Sequence, residues 1–334
     1  MIALLGDTHF GKNGFNINFF ENQMNFYNNQ FFPYILENNI NHVICTGDFF
    51  DHGTRQDVNL LLRVKNEFLN FFEKNKIMLT ILVGNHDIYY KNTREVTTLD
   101  FFDSYQYLRV IKEPTIMEIG NITWELYPWL LTGEGFAPKS KYIIGHFEIN
   151  GFRMVGNFEC THGMNPNSLK GMKKVISGHF HLKQEKGPIN YIGTPYSMDW
   201  NDVNEDKGFY ILDDNGNLEF IRNEYSLNYY EFTTKLINEE IAYFVGDKQV
   251  TLELINKLSD NGNKVRINSA IPIPIEVGNS NIIVDIVEEK KYEDKTYEDV
   301  NDFVKDSLSP KAFTEFTTLY ELLNNEDKIE VLLN

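Results

Sequence analysis

The sequence predicts an α/β protein: a mainly parallel sheet packed on a second, mixed sheet, with helices flanking the pair, then a small α+β domain and a helical hairpin. Three observations predict it. Apolar runs at residues 2–5, 43–45 and 77–83 alternate with amphipathic helical stretches, the strand–helix–strand pattern that builds parallel sheets. From Val110 to Trp129 the pattern changes to short alternating segments broken by Gly120-Asn121, as a second sheet begins. Finally, the apolar runs end in glycine followed by Asp, Asn or His: Gly6-Asp7-Thr8-His9, Gly47-Asp48, Gly84-Asn85-His86-Asp87, Gly145-His146 and Gly178-His179-Phe180-His181. The carboxyl ends of α/β strands are where such folds open a crevice.

Taken in order, residues 2–5 are a short strand whose exit is Gly6-Asp7. A helix is expected over about 16–38, with Phe20, Met24, Tyr27, Phe31 and Ile35 recurring every three or four residues and Pro33 bending it. The strand at 43–45 delivers Asp48. A second helix over about 57–74 carries Val58, Leu61, Leu62, Phe68, Leu69 and Phe72 on one face and Leu60, Val64 and Phe71 off it. That is more apolar surface than one core contact requires, so the helix is either buried on two sides by its own domain or part of a dimer interface. Residues 77–83 form a continuous apolar strand leading into Gly84-Asn85-His86-Asp87.

Strands at 142–144 and 175–176 deliver the two Gly-His sites. Residues 191–195, 208–212 and, after an Asp-Asp-Asn-Gly turn, 218–221 read as closing strands, so a core domain is expected over 1–225. Residues 226–288 hold one helix-like run, 251–259, among strand-like runs and are expected to form a second, capping domain. A charged linker and two short amphipathic helices are expected in 289–334. So small a hairpin cannot bury its own apolar residues and should dock on its own chain or on a partner.

The 334 residues, 42% hydrophobic, suffice for one large domain with one or two small ones. No apolar run approaches the ~20 residues of a membrane span, and no charged-then-apolar leader opens the chain, so a soluble, cytoplasmic protein without a membrane partner is expected. Cys45 and Cys160 form neither a disulfide framework nor a metal-binding spacing. The net charge of −17 argues against a chain that wraps nucleic acid with its own basic surface. Bound divalent cations would invert that field locally, and a basic partner subunit would supply the rest.

An isolated histidine near a strand end is more often structural than a ligand. The ordered set carries more weight: five of the eight histidines fall in these motifs. Asp7, His9, Asp48, Asn85, His146, His179 and His181 offer seven oxygen or imidazole ligands converging on one rim. A mixed set without thiolate suits Mn²⁺, Fe²⁺ or Zn²⁺ rather than Ca²⁺. Seven ligands, with Asp48 shared, are enough for two ions ~3.5–4 Å apart, the arrangement that serves in-line phosphoester hydrolysis.

The set Asp7-x-His9, Gly47-Asp48, Gly84-Asn85-His86-Asp87, Gly145-His146 and Gly178-His179-x-His181 resembles the calcineurin-like metallophosphoesterase superfamily over residues 1–225. The resemblance implies a four-layer core of two mixed sheets flanked by helices. It implies that Asp7, His9, Asp48 and His181 hold one metal, and Asp48, Asn85, His146 and His179 the other, with Mn²⁺ the expected pair. His86 would protonate the leaving oxygen or stabilise the transition state, and Asp87 would orient His86 or shape its turn.

Gly47-Asp48-Phe49-Phe50-Asp51, Tyr127-Pro128-Trp129, the stretch Gly145-His146-Phe147-Glu148-Ile149-Asn150-Gly151, Tyr191-Ile192-Gly193-Thr194-Pro195 and Lys207-Gly208-Phe209 narrow the match. They resemble SbcD-type double-strand-break-repair nucleases, with the nuclease subunits of tailed phages nearest. That resemblance implies a DNA exonuclease acting on duplex ends, with single-strand endonuclease work besides, in recombination, repair and phage replication. It further implies a homodimer through helices near 57–74 and 97–104, a capping domain, and a C-terminal helical segment that binds an SMC-like coiled-coil ATPase. Lys91 and Arg94 are candidates for the DNA backbone; His52 and His162 fit no motif. A stand-alone phosphatase or cyclic-nucleotide phosphodiesterase on the same core is the alternative: it suits the acidity better but leaves the capping region and hairpin without a purpose. A non-catalytic scaffold should have lost ligands, and all seven positions are filled.

Overall fold

Strands that carry apolar side chains on both faces must be covered on both sides. In the computed structural model, which describes residues 1–286 except 156–157, 239, 271–272 and 274–280, the strands Ile2–Leu5, His42–Cys45 and Met78–Leu82 lie side by side and parallel. They sit inside a six-stranded sheet of order Leu218–Arg222, Gly208–Leu212, Ile2–Leu5, His42–Cys45, Met78–Leu82, Leu108–Ile111. Ala3 stands opposite Val43 in the parallel pair and opposite Ile211 in the antiparallel one. A second six-stranded sheet has the order Gln184–Lys186, Ile189–Tyr191, Lys174–Gly178, Tyr142–His146, Ile122–Tyr127, Thr115–Ile119. Its central pair is parallel, with His146 opposite Gly178.

Alternate residues of each strand define the layers. Leu4, Ile44 and Leu212 of the first sheet meet Trp124, Leu126, Ile144 and Ile176 of the second. On the other face of the first sheet, Leu5, Val43 and Ile81 pack against helices through Phe20, Tyr27, Phe31, Leu60, Phe68 and Phe72. The outer face of the second sheet, with Ile143, Val175 and Tyr191, is covered by loop residues Phe147, Ile149, Phe152 and Phe180 and by Leu169 of the 3₁₀ turn Pro166–Leu169.

Both expected helices form, and each contains a π-helical turn. The first runs through Ile17–Phe26, the π turn Tyr27–Phe31 and Phe32–Glu37, with the Asn16 side chain accepting from the Asn18 and Phe19 amides at its start. Pro33 lacks an amide and its ring crowds the carbonyl four residues back; the π turn lies at that point and absorbs the mismatch. The second runs through Val58–Arg63, the π turn Val64–Leu69 and Asn70–Asn75, capped by Asp57. Its buried stripe is Leu60, Val64, Phe68 and Phe72, whereas Val58 and Leu62, expected on that face, are exposed. Ordinary α-winding moves residues four apart off one line, but the wider π turn keeps them on it.

The expected strand over 191–195 stops at Tyr191 and the chain leaves the sheet, with the Thr194 amide donating to the His181 carbonyl. Beyond the first sheet, the strands Lys248–Val250, Glu240–Val245, Tyr229–Ile237, Lys264–Ser269 and Ile282–Ile286 form a third sheet in that order. The helix Leu252–Asp260 buries Ile255 against Phe232, Val265 and Ile267. The linker and hairpin expected over 289–334 lie outside the described residues.

His42 opens the second strand, 2.9 Å from Thr80 Oγ1, and burial followed by repulsion from Arg109 holds its pKa down to about 4. The unfolded chain therefore takes up this proton first, near pH 6.5. Its contribution is complete above that pH and declines by about 3 kcal/mol as pH falls to about 4. Urea unfolding at pH 7.5 and 4.5 should show a smaller acid loss for His42→Gln than for the wild type; equal losses would place the acid sensitivity elsewhere.

Candidate metal centre

The parallel pairing of the first two central strands continues past their ends. The His9 amide donates to the Asp48 carbonyl at 3.0 Å, the Phe10 amide to Phe49 at 2.9 Å, and the Asp51 amide returns to Phe10 at 3.0 Å. This zipper puts Asp7, His9 and Asp48 on one wall. The glycines before the site residues let the neighbouring loops close in. A Cβ on Gly47 would sit 2.3 Å from His146 Nδ1, and one on Gly84 would sit 2.2 Å from the Asp48 amide nitrogen. His9, Asp48 and His179 take φ values of 44°, 48° and 90°, a left-handed backbone that the surrounding packing imposes on side-chain-bearing residues.

The seven candidate ligands converge. Atoms of Asp7, His9 and His181 lie within 4.8 Å of one another, as do those of Asp48, His146 and His179. His9 Nε2 is 3.1 Å from His181 Nε2. Asn85 Oδ1 is 3.1 Å from His146 Nε2 and 3.0 Å from His179 Nδ1. Asp48 Oδ2 lies between the two groups, 3.8 Å from His9 Nε2 and 3.3 Å from His146 Nε2, and Asp7 Oδ1 is 3.9 Å from His146 Nδ1. The other oxygens are partly committed, Asp48 Oδ1 to the His86 amide and Asp7 Oδ2 to the His179 amide, both at 2.8 Å.

Electrostatics mark this as a cation site. Burial raises the Asp7 pKa, aided by Asp48 and opposed by His146. Burial would also raise Asp48, but His146, His9 and His86 hold it well below the usual carboxylate range. Burial pushes the His146 pKa down, yet Asp48 and Asp7 overcome this and hold it at about 9. Two carboxylates side by side in a dry crevice demand positive charge, which a divalent ion supplies in more concentrated form than protons. Asp7 Oδ1 is buried without a hydrogen-bond partner among the described residues, so a lone pair is left for such an ion.

Residues beyond the expected set shape the centre. Asp51 Oδ1 lies 2.9 Å from His9 Nδ1, and its carbonyl accepts from His86 Nδ1 at 2.8 Å. The Thr46 carbonyl accepts from His146 Nδ1 at 2.9 Å. The ring of Trp129 stands 5.0 Å from His179 and 5.9 Å from His146. Asp51 and Trp129 belong to stretches singled out in the sequence, but only the returning loops show what they touch.

Asp87 accepts from the amides of Phe49, Phe50 and Gly84 at 3.2, 2.9 and 2.9 Å. It clamps the Asp48 loop to the Asn85 loop, and the His86 ring is held instead by the Asp51 carbonyl. Arg94, expected near DNA, is 4% exposed and forks onto Glu134 at 2.6 and 2.7 Å, with Glu113 at 3.3 Å and the Trp129 and Lys112 carbonyls also in its shell. Its role is to fasten loops; Lys91 remains exposed.

Fold and site together define a class: a two-sheet α/β scaffold whose strand ends form an oxygen-and-imidazole cage fitted to divalent cations. The chain belongs to the calcineurin-like phosphoesterase family, whose family model matches residues 1–240. It is 31% identical over 203 residues to exonuclease subunit 1 of Enterobacteria phage T4, covering 58% of this chain and 59% of that protein. To the DNA double-strand break repair protein Mre11 of Nanoarchaeum equitans it is 24% identical over 256 residues, covering 64% and 66%. The chain thus spans less than two thirds of the curated relatives it matches.

Replacing Asp87 by Ala leaves three buried amides without an acceptor. Asp87→Ala should lose roughly 3–5 kcal/mol of stability in urea unfolding, and Asp87→Asn, which keeps one acceptor, should lose less. A loss under about 1 kcal/mol for Asp87→Ala would mean that the two loops are held by other contacts.

Proposed function

We propose that this chain is a divalent-metal-dependent DNA phosphodiesterase: an exonuclease on duplex ends, with single-strand endonuclease work besides. The observation that carries the reading is Asp48 Oδ2, one carboxylate oxygen between two ligand groups. Asp7, His9, Asp48 and His181 would hold one ion, and Asp48, Asn85, His146 and His179 the other. The donor set, oxygen and imidazole only, suits Mn²⁺. When bound, such a pair supplies charge to the phosphate oxygens and acidifies the attacking water.

The remaining work falls to the chain's own groups. The Thr46 carbonyl accepts a hydrogen bond from His146 Nδ1–H and so aims the Nε2 lone pair into the centre. With His86 Nδ1–H committed to the Asp51 carbonyl, Nε2 is the atom that gives a proton to the leaving oxygen. Trp129 packs against the flank of His146 and His179 and limits the positions their rings can take. The choice of DNA as substrate is supported by the motif resemblance and by relatives that are themselves an exonuclease subunit and a double-strand break repair protein.

The word subunit in the phage relative's name also supports a partner, for which an SMC-like coiled-coil ATPase is the proposal. A second copy of the chain is the other proposed partner. Val58 and Phe101, each 71% exposed, border a groove of about 560 Å³ with Leu61, Tyr89 and Val96, beside the loop that carries His86. So much apolar surface on two adjacent elements, Val58–Arg63 and the 3₁₀ turn Thr98–Phe102, suits a self-complementary interface.

Degradation of an end-labelled linear duplex, measured with and without Mn²⁺, tests the chemistry. Asp48→Asn should lose activity and bound metal together. His86→Ser should keep its metal while slowing about 10²–10⁴-fold. Hydrolysis of a small aryl phosphodiester without any action on DNA, even with the ATPase added, would move the reading to a stand-alone phosphodiesterase. For the dimer, sedimentation of the wild type should show a concentration-dependent twofold mass that Val58→Glu with Phe101→Glu abolishes; a monomeric wild type at all concentrations would refute it.

A further inference from the structure

Beside the His146 and His179 group lies a second cluster that the phosphodiesterase reading does not use. Glu148, Cys160 and His162 place a carboxylate oxygen, a sulfur and an imidazole nitrogen within 4.8 Å of one another. His162 Nε2 is 3.2 Å from Glu148 Oε1, close to the separation of two ligands on one tetrahedral ion. Cys160 is 1% exposed, and its thiol donates only to the His162 carbonyl, at 3.1 Å.

The backbone holds this cluster in advance. The Met164 amide donates to the Glu148 carbonyl at 2.7 Å, Asn150 to Met164 at 3.0 Å, Gly151 to Cys160 at 2.7 Å and Cys160 to Phe152 at 2.7 Å. Gly163, at φ +82°, lets the strand of ligands come that close, since a Cβ there would sit 2.5 Å from the Glu148 carbonyl oxygen. Glu148 and Gly163 also line a cleft of about 510 Å³ that reaches His146 and Trp129. The fourth position of an ion held here would therefore be open to water or a small ligand.

We propose that Glu148, Cys160 and His162 form a third divalent-cation site, selective for Zn²⁺ and chemically distinct from the two-ion centre. The distinction follows from the donors. Thiolate is absent from the other two groups, and a sulfur–imidazole–carboxylate set favours Zn²⁺ or Co²⁺ over the hard Mn²⁺ and Mg²⁺. Binding costs the thiol its proton, which leaves to solvent as the sulfur–metal bond forms. The site touches the first centre through one atom, because the same Glu148 Oε1 that faces His162 is 3.7 Å from His179 Nε2.

Co²⁺ reads this site separately, since only thiolate ligation gives a sulfur-to-cobalt charge-transfer band in the near ultraviolet. Titrating the metal-free full chain with Co²⁺ should produce that band, with one thiolate-bound ion per chain at saturation beside those taken by the two-ion centre, and excess Zn²⁺ should remove it. Cys160→Ser should lack the band and Cys45→Ser should keep it. His162→Ala alters a side chain that is 64% exposed; it should weaken Co²⁺ at this site by about tenfold or more. No band in the wild type, a band that survives Cys160→Ser, or an unchanged titration in His162→Ala would each overturn the proposal. None of these readouts depends on hydrolysis.

Discussion

The structure depends on burying Asp7 and Asp48 together at the ends of adjacent parallel strands. Two carboxylates out of water cost several kcal/mol each unless something answers their charge. Here the answer is built in layers: backbone amides of His86 and His179 hold one oxygen of each, imidazoles surround the rest, and Asp7 Oδ1 is left over. The parallel register of Ile2–Leu5 with His42–Cys45, continued by the His9 and Phe10 amides, makes the juxtaposition unavoidable. A fold that accepts this cost has a reason to keep a cation nearby.

The same burden explains why the loops around the centre are so heavily fastened. Asp87 spends its carboxylate on three amides and touches no ligand ring, and its pKa is pushed up to about 6 by burial and by Asp48. Arg94 ties the segment after His86 to Glu134 and to the carbonyl of Trp129, whose ring flanks the histidines. Lys207, buried, reaches the His181 carbonyl, Thr194 and Asp202. Left-handed backbone at His9, Asp48 and His179 is strain that only such fastening sustains.

The convergence of the candidate ligands was legible because its signal is local: an apolar run, a glycine, then Asp, Asn or His, at five places in order. What was not legible is whatever depends on the return of a distant loop. Arg94 reads as a surface cation until Glu134, forty residues on, is seen beneath it. Asp51 follows Asp48 closely, but its hold on His9 and His86 appears only when the 48–51 turn folds back. The second helix was expected to carry Val58 and Leu62 on its main apolar face and Leu60 and Val64 off it, whereas the π turn Val64–Leu69 aligns Leu60, Val64, Phe68 and Phe72 as the buried stripe and leaves Val58 and Leu62 exposed. Cys160 and His162 sit in no motif, and only the pairing of 148–152 with 160–164 brings them to Glu148.

The net charge of −17 sets the division of labour in any DNA-cleaving role. Charges more than about 8 Å from a phosphate are largely screened at physiological salt, so the acidic surface weakens the long-range capture of DNA more than it opposes contact at the centre. At the centre, divalent cations held by Asp7 and Asp48 would reverse the sign of the field. Of the two cations nearest in sequence to the His86 loop, Arg94 is held internally and Lys91 is exposed. For the proposed DNA-cleaving role, an acidic surface of this kind favours a partner that presents the strand.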